Sequence, residues 1–296
     1  QVGVFTNLTP EHLDYHQDME RYFTSKYHLF KELLPRDNGR AVINIDDAYG
    51  QRLATMLPEA LTCGRDQGAD VYPKDLDVSL QGIRGQVVTP LGMVDIASPL
   101  LGDFNVENLL CAIAAAVALD LSPQTIAAGL AKATGVPGRL ELIENDREAV
   151  ILVDYAHTGD ALRRAIEAMQ ALAPQRILTI FGCGGDRDRS KRPVMAEVAA
   201  RGSDIAIATS DNPRSEDPEQ ILDDVRSGLV KVHEREWSKA EAKNAIGKGC
   251  VVISDRREAI QFAVEILRPG DLLLVAGKGH EDYQILGTRS EERRVG

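Results

Sequence analysis

Three polar segments of the sequence each follow a short apolar run and carry residues suited to binding a small charged molecule. They are Gly182–Arg187, Asp211–Arg214 and Gly277–Glu281. The guanidinium groups of Arg187 and Arg214 are planar forks that bind a carboxylate or a phosphate through paired hydrogen bonds. The glycine-rich turn lacks the G-x-G-x-x-G spacing of dinucleotide sites. These segments therefore indicate carboxylate or phosphate binding and disfavour a nicotinamide-dependent dehydrogenase.

A second set of reactive side chains lies on a helix predicted from Thr9 to Leu34. His12 and His16 are four residues apart and share a helix face, but Leu13 stands where a zinc protease of the H-E-x-x-H type has its glutamate. Lys26 belongs to a stripe expected to face a core, formed with Tyr22, Leu29, Phe30 and Leu33. An ammonium group there is costly unless it is paired, chemically altered or extended to the surface.

The elements that must position these residues differ between the two halves of the chain. The first half contains a predicted strand at Ala41–Ile45, short alternating strands across Val71–Ser98, and helices near Val106–Leu119 and Pro123–Ala133. In the second half, short apolar strands alternate with helical stretches, with strands at Val150–Val153, Ile177–Phe181, Ile205–Thr209, Val251–Ile253 and Leu272–Ala276.

This strand–helix alternation predicts an α/β protein whose second half is a mostly parallel, doubly wound, Rossmann-like sheet. Parallel sheets of this kind bind ligands at the carboxyl ends of their strands, so the polar segments after those strands should meet at one edge. We expect a first domain over residues 1–145 and a second over residues 146–288.

The composition narrows the class of protein. A formal net charge of -11 disfavours nucleic acid as the main partner, because binding phosphate backbones needs a basic face. The four cysteines are widely spaced, which favours buried thiols in a reducing compartment over disulfides or a zinc site. No apolar stretch reaches membrane-spanning length. We expect a cytoplasmic enzyme of small anionic metabolites, without membrane insertion.

Both ends of the sequence look like those of an incomplete protein. Val2–Phe5 reads as a buried strand that would normally have chain before it, and the charged, aperiodic residues 289–296 are expected to be a non-native tail. No G-x-x-x-x-G-K-[ST] phosphate loop occurs in the sequence.

The segment Thr6–His16, with Tyr22 and Lys26 after it, resembles the central domain of the muramoyl-peptide ligases, the Mur ligase family. The resemblance implies that Lys26 is carbamylated, which would replace a cation with an anionic oxygen pair able to hold Mg²⁺. It also implies that His12 is a second metal ligand, whereas Asp14 and His16 match the motif as structural residues.

Four further residues resemble the nucleotide site of the same family. Asn105 and Asn108 match residues near the adenine, Arg139 the phosphates and Asp154 the ribose of ATP. The residues alone leave other roles open, since an asparagine at a helix start is usually a cap. His157 matches a position near the nucleotide and is equally suited to helix capping.

The third resemblance bears on the substrate. Asp211-Asn212-Pro213-Arg214 is similar to the segment of family members that add diaminopimelate rather than lysine. Asn-Pro alone would indicate only a turn. Arg187, Gly277 and Glu281 match the same amino-acid pocket, in which a guanidinium would bind the distal carboxylate that lysine lacks and Glu281 the distal ammonium.

The resemblance implies ATP-dependent, ADP-forming addition of meso-diaminopimelate to UDP-MurNAc-L-Ala-D-Glu, through an acyl phosphate, with Mg²⁺ as a cofactor and Lys26, His12 and Arg139 as catalytic residues. It implies a monomer whose partners are small molecules. Because the family's phosphate loop precedes the matched segment, we expect this chain to be inactive by itself. A lysine-adding or folylpolyglutamate-type ligase of the same fold stays open, as does a non-catalytic module that binds an amino acid or a nucleotide.

Overall fold

The fold was analysed in a computed structural model that describes residues 1–10, 13–34, 38–233, 235–286 and 289–292. The chain forms two compact units, residues 1–134 and residues 135–296. The division lies upstream of the expected boundary at 145/146. The reason is that strand β7 (Glu141–Ile143) pairs antiparallel with β8 (Val150–Asp154) and so belongs to the second sheet.

The first unit contains two three-stranded sheets in the described part of the chain. The first is parallel, in the order β1-β2-β3, with β1 at Val2–Phe5, β2 at Arg40–Asn44 and β3 at Leu61–Cys63. The second is the antiparallel meander expected across Val71–Ser98, formed by β4 (Tyr72–Ser79), β5 (Gly82–Thr89) and β6 (Gly92–Ser98).

Three helices of this unit follow the first strands of its parallel sheet. They are α3 (Ala48–Met56), α4 (Phe104–Ala118) and α5 (Pro123–Ala131). The apolar face of α4, including Leu110 and Ile113, packs with the meander residues Ile83 and Val94. This packing fixes the start of α4, where Asn105 lies.

The single helix expected from Thr9 to Leu34 is wrong in the structure. Residues 11 and 12 lie outside the described residues, and two helices follow them, α1 (Leu13–His16) and α2 (Met19–His28), before a π-helical turn at Leu29–Leu33. The break has a local cause. Asp18 is a helix cap that accepts a hydrogen bond from the backbone N–H of Arg21 at 2.8 Å, and Gln17 before it has a φ of 69°.

The stripe expected to face a core is correct only in part. Phe30 is buried and Tyr22 packs against the same cluster, but Leu29 and Leu33 are exposed. The other residues of this segment that enter the core are Phe23 and Leu34. Lys26 is exposed, and its Nζ lies 5.4 Å from the centroid of the Tyr22 ring. The ammonium group therefore pays no burial penalty, and burial gives no reason for it to be modified.

The second unit contains the predicted doubly wound sheet, which confirms the fold class. Its six strands have the order β11-β10-β9-β12-β8-β7, and every neighbouring pair except β7–β8 is parallel. The remaining parallel strands are β9 (Ile177–Cys183), β10 (Ile205–Ser210), β11 (Gly249–Val252) and β12 (Leu272–Ala276).

Helices connect these strands and cover the sheet, so that the nearly continuous apolar residues of the strands are buried. They are α6 (Gly159–Gln170), α7 (Lys191–Gly202), α8 (Pro218–Leu229), α9 (Lys239–Asn244) and α10 (Arg256–Glu265). The last described strands, β13 (Tyr283–Leu286) and β14 (Arg289–Glu292), form an antiparallel pair. The second half of the chain thus holds its polar segments on a rigid parallel framework.

Candidate functional site

The predicted polar segments meet at the carboxyl edge of the second sheet. Strands β10, β9, β12 and β8 lie side by side in that order and run in the same direction. Their ends therefore bring Asp154, Gly182–Arg187, Asp211–Arg214 and Gly277–Glu281 to the same edge. The structure confirms this part of the sequence argument, which rested on strand direction alone.

Lys278 lies at the centre of this edge and was missed by the sequence reasoning. Its side chain is 5% exposed, and its Nζ lies 3.0 Å from Oδ1 of Asp211. The same atom donates hydrogen bonds to Oδ1 of Asn212 and to the backbone carbonyl of Tyr283, both at 2.9 Å. A signal was available, because Lys278 follows the apolar strand Leu272–Ala276 after a single glycine, and a lysine so close to a buried strand end is expected to need partners.

Arg256 is a second buried cation that the sequence reasoning did not identify. It begins α10, is 4% exposed, and its Nη2 donates to the backbone carbonyl of Ala276 at 2.8 Å. Its Nη1 is buried without a hydrogen-bond partner among the described residues. Burial lowers the pKa of Arg256, and the nearby carboxylates of Asp211 and Glu281 oppose that shift. Two buried cations at this edge, Lys278 and Arg256, thus lie near two carboxylates, Asp211 and Glu281.

Arg187 and Arg214 both approach Gly184 of the glycine-rich turn. A Cβ atom placed on Gly184 would lie 2.9 Å from Nη1 of Arg214 and 3.8 Å from Cγ of Arg187. Arg214 donates from the same Nη1 to the backbone carbonyl of Gly185 at 2.7 Å, which leaves the rest of the guanidinium for a ligand. Gly185 itself approaches the carbonyl of Pro213 so closely that a Cβ would lie 1.9 Å from it. The two turns are therefore packed backbone to backbone.

An ion-pair network around the buried Arg192 holds the backbone of the glycine-rich turn in place. The guanidinium of Arg192, at the start of α7, is bidentate with Glu216 at 2.7 and 3.0 Å and bonds Asp224 at 2.9 Å. Arg192 also donates to the carbonyl of Gly184 at 3.3 Å. The Glu216 carboxylate accepts the backbone N–H of Asp186, and these bonds lower its pKa to about 2.

Asp154 closes β8 and organises the turn that carries Arg139. Its Oδ2 accepts the backbone N–H of Leu140 at 2.9 Å and its Oδ1 that of Ala156 at 2.7 Å. Burial raises the pKa of Asp154, and these two bonds oppose the shift. The guanidinium of Arg139 lies 4.8 Å from the centroid of the Tyr155 ring. The carboxylate expected to meet a ribose is thus already used to shape the Arg139 turn.

In the second unit, hydrogen bonds join the residues matched to the nucleotide site to those matched to the amino-acid pocket. The backbone carbonyl of Asp154 accepts the N–H groups of Gly277 and Gly279, at 3.0 and 3.2 Å. Tyr155 donates its hydroxyl to Oε1 of Glu281 at 3.3 Å, and the carboxylate of Glu281 adds to the effect of burial in raising the pKa of that phenol. His157, whose ring lies 4.8 Å from that of Tyr155, is exposed.

The remaining predicted residues belong to the first unit. Asn105 does not cap α4, whose cap position is Asp103; its amide donates to the carbonyl of Leu101 at 2.7 Å. Asn108 donates to Oδ1 of Asn105 at 2.9 Å, so the two amides orient each other. His12 lies outside the described residues.

Neither a metal cluster nor a membrane helix is found in the described chain. No group of three or more His, Cys, Asp or Glu side chains there could hold a metal ion. No described helix is long and apolar enough to cross a membrane.

Comparisons with known proteins match both units. Residues 1–116 match the family described as Mur ligase middle domain, and residues 138–279 match the family described as Mur ligase, glutamate ligase domain. Two relatives, both named UDP-N-acetylmuramoyl-L-alanyl-D-glutamate--2,6-diaminopimelate ligase, are those of Geobacter metallireducens, 51% identical over 293 residues, and Gloeobacter violaceus, 47% identical over 289 residues. Each match covers 97% of this chain but only 57% and 56% of the relative. The chain therefore spans a little over half the length of these relatives.

Solved structures agree with these matches. A structure of a UDP-N-acetylmuramoyl-L-alanyl-D-glutamate--2,6-diaminopimelate ligase is 38% identical, with a TM-score of 0.66, and the match covers 99% of this chain and 58% of that one. A MurF ligase from Thermotoga maritima in complex with ADP is 18% identical, with a TM-score of 0.66, over 93% of this chain and 58% of that one. At 18% identity, this second match shows the fold alone.

Proposed function

The chain belongs to the Mur ligase family, and on that premise we propose that it is part of an ATP-dependent amide ligase of peptidoglycan synthesis. The proposed reaction joins meso-diaminopimelate to UDP-MurNAc-L-Ala-D-Glu and forms ADP. We further propose a cytoplasmic monomer whose partners are these two substrates and ATP. The names of the relatives support the reaction class, and the edge of the second sheet supports the choice of amino acid.

The placement of charges at this edge carries the proposal. Arg214 and Arg187 both approach Gly184 of the glycine-rich turn, and the carboxylate of Glu281 lies in the segment that follows a neighbouring strand of the same sheet. Diaminopimelate has a carboxylate and an ammonium at each end, whereas lysine has no distal carboxylate. A guanidinium fork matches a carboxylate in shape as well as charge, so we assign the distal carboxylate to Arg214 and Arg187 and the distal ammonium to Glu281.

The roles of the other pocket residues follow from their contacts. Asp211, Asn212 and Pro213 form the turn that carries Arg214, and Gly277 leads into the segment that carries Glu281. Because Asp211, Asn212 and Pro213 are buried, this side of the pocket is preorganised, which limits the entropy lost on binding.

ATP, when bound, supplies the phosphoryl group that activates the substrate carboxylate as an acyl phosphate. In this chain we assign Arg139 to the phosphates, where its positive charge would stabilise developing negative charge. Asn105 and Asn108 are assigned to the adenine. Asp154 holds the turn of Arg139 in place through Leu140, and we propose that this support, together with any ribose contact, is its contribution.

The proposed metal ligands are Lys26, which is exposed, and His12, which lies outside the described residues. Mg²⁺ prefers oxygen ligands, and an unmodified Lys26 ammonium cannot bind a cation. We propose that carbamylation of Lys26 supplies that ligand, with His12 as the second, and we assign no reaction step to the ion. Incubation with ¹³C-bicarbonate and ¹³C NMR tests the modification, since a carbamate signal should be lost in Lys26→Arg.

Isothermal titration calorimetry on the 296-residue chain tests the substrate assignment. We expect meso-diaminopimelate to bind more tightly than L-lysine, and Arg214→Ala to remove most of that preference. Arg201→Ala is the matched control, because Arg201 is an exposed arginine of α7 that pairs with Glu197. Equal affinity for the two amino acids, or an unchanged preference in Arg214→Ala, would refute the assignment and favour a lysine-adding or folylpolyglutamate-type ligase.

A further inference from the structure

The ammonium group of Lys278 is surrounded by oxygen atoms. Its three N–H groups have three oxygen atoms within hydrogen-bonding distance, those of Asp211, Asn212 and Tyr283, at 2.9 to 3.0 Å. Oε2 of Glu281 follows at 3.8 Å, beyond a hydrogen bond. Two of its three N–H groups are used in hydrogen bonds, and its charge is paired with Asp211, whose Oδ1 accepts no hydrogen bond among the described residues. Because the side chain is only 5% exposed, we expect any effect of Lys278 on a substrate to pass through another residue.

Asn212 is the residue whose orientation Lys278 determines. Its Oδ1 accepts from the Nζ of Lys278 and from the backbone N–H of Ile285, both at 2.9 Å. Both partners are obligatory donors, so the amide cannot be turned over without placing its own NH₂ against them. In the described part of the chain the Nδ2 of Asn212 has no acceptor. The side chain therefore keeps two N–H groups for a ligand.

The backbone of Asn212 lies close to the guanidinium of Arg214. The two residues share one turn, and Nη1 of Arg214 lies 3.5 Å from the backbone carbonyl of Asn212. Two donor groups on one turn suit a carboxylate, which offers about four lone pairs. A ligand without a carboxylate would leave the NH₂ of Asn212 and the remaining N–H groups of Arg214 without an acceptor, which is costly in a partly buried site.

We propose that Lys278 is a positioning residue for substrate choice: by holding the Asn212 amide in one orientation, it makes the pocket selective for an amino acid with a distal carboxylate. This inference rests on the proposed function, which names that amino acid. It goes further in assigning the selectivity to a buried lysine that does not touch the substrate. The simpler reading of the same contacts is a lysine that only ties the turns together.

Two variants separate these readings by calorimetry with meso-diaminopimelate and L-lysine on the full 296-residue chain. Asn212→Asp keeps an oxygen for Lys278 and Ile285 but replaces the NH₂ with a carboxylate oxygen. Lys278→Met removes the ammonium and releases the amide. We expect each to weaken diaminopimelate binding about 10- to 100-fold, the loss expected for a charge-assisted hydrogen bond, and to change the dissociation constant of L-lysine by less than roughly threefold.

Lys231→Met is the control, because Lys231 is an exposed lysine that pairs with Glu197 at 3.5 Å. It should change neither dissociation constant. If Lys278→Met fails to fold, Asn212→Asp still tests whether the NH₂ of Asn212 contributes to the preference for diaminopimelate, which the inference requires, since it preserves the acceptor bonds. A stable Asn212→Asp, or Lys278→Met, that weakens both amino acids equally or leaves the preference intact would overturn the inference but not the proposed function. An unaltered chain that binds neither amino acid would overturn both.

Discussion

The hydroxyl of Tyr155 donates a hydrogen bond to Oε1 of Glu281 across 3.3 Å, although these residues follow different strands of the second sheet. The same ring lies under the guanidinium of Arg139, 4.8 Å from its Cζ. Tyr155 thus contacts both the residue assigned to the ATP phosphates and the residue assigned to the amino-acid ammonium. It was not among the residues predicted from the sequence, because its importance depends on contacts across the strands.

Tyr155→Phe tests the value of this hydroxyl alone, since phenylalanine keeps the ring beneath Arg139. Glu281 would lose a donor that fixes its carboxylate, and we expect diaminopimelate affinity in calorimetry to fall about 3- to 10-fold, corresponding to a typical net hydrogen bond. Tyr15→Phe is the control, because Tyr15 is 81% exposed and belongs to the first unit. An unchanged affinity would show that Glu281 is positioned by other contacts.

Substitution by alanine is expected to have different effects at two neighbouring glycines, Gly184 and Gly185. In Gly184→Ala the new methyl group meets the end of a flexible arginine, Nη1 of Arg214 at 2.9 Å. The guanidinium can move aside, so we expect the free energy of unfolding to change by less than about 0.5 kcal/mol while diaminopimelate affinity falls. Urea denaturation and calorimetry on the same sample measure the two effects.

In Gly185→Ala the methyl group would lie 1.9 Å from the backbone carbonyl of Pro213, which cannot move without shifting the whole turn. We expect this variant to lose about 1–3 kcal/mol of unfolding free energy, the usual cost of overpacking. The mutual approach of these turns is contradicted if Gly185→Ala is as stable as Gly184→Ala in urea.

The architecture of the second unit could be predicted from the sequence, because apolar strands separated by helices allow few arrangements other than a parallel sheet. It also predicted that Asp211–Arg214 and Gly277–Glu281 meet, which follows from strand direction. The same periodicity argument failed for the segment before Leu34. There a local interaction, the cap formed by Asp18, breaks the helix and changes which residues face the core.

The site could be predicted only as far as residue types indicate a ligand. Arg187 and Arg214 were found because a guanidinium near a glycine turn indicates anion binding. The roles of Lys278 and Arg256 were missed because they depend on partners distant in sequence, at Asn212 and Ala276. Such pairings follow from the order of strands β10, β9 and β12, which local sequence patterns do not encode.

Asp154→Asn should destabilise the second unit even though the substitution is nearly isosteric. Both carboxylate oxygens accept backbone N–H groups, from Leu140 and Ala156, so one of these donors would face the NH₂ of asparagine. We expect a loss of about 1–3 kcal/mol in unfolding free energy, the cost of leaving a buried donor unsatisfied, measured in urea. Asp146→Asn, on an exposed side chain, is the control; equal stability of both variants would refute the structural role of Asp154.

Glu216→Gln should reveal the network beneath the glycine-rich turn through its dependence on pH. The pKa of Glu216 is lowered to about 2, first by the hydrogen bond from Arg192 and then by the N–H of Asp186. A carboxylate with a lowered folded-state pKa contributes stability that is present above its unfolded pKa, near 4.5, and is lost as the pH falls toward 2. The variant should therefore be less stable than the unaltered chain at pH 7, by about 1–3 kcal/mol, and the difference should shrink below pH 4.5.

Urea denaturation from pH 7 to pH 3.5 measures this difference in unfolding free energy, and Glu144→Gln, on an exposed side chain, is the control. A difference that is constant over this range would mean that the Glu216 charge does not stabilise the turn.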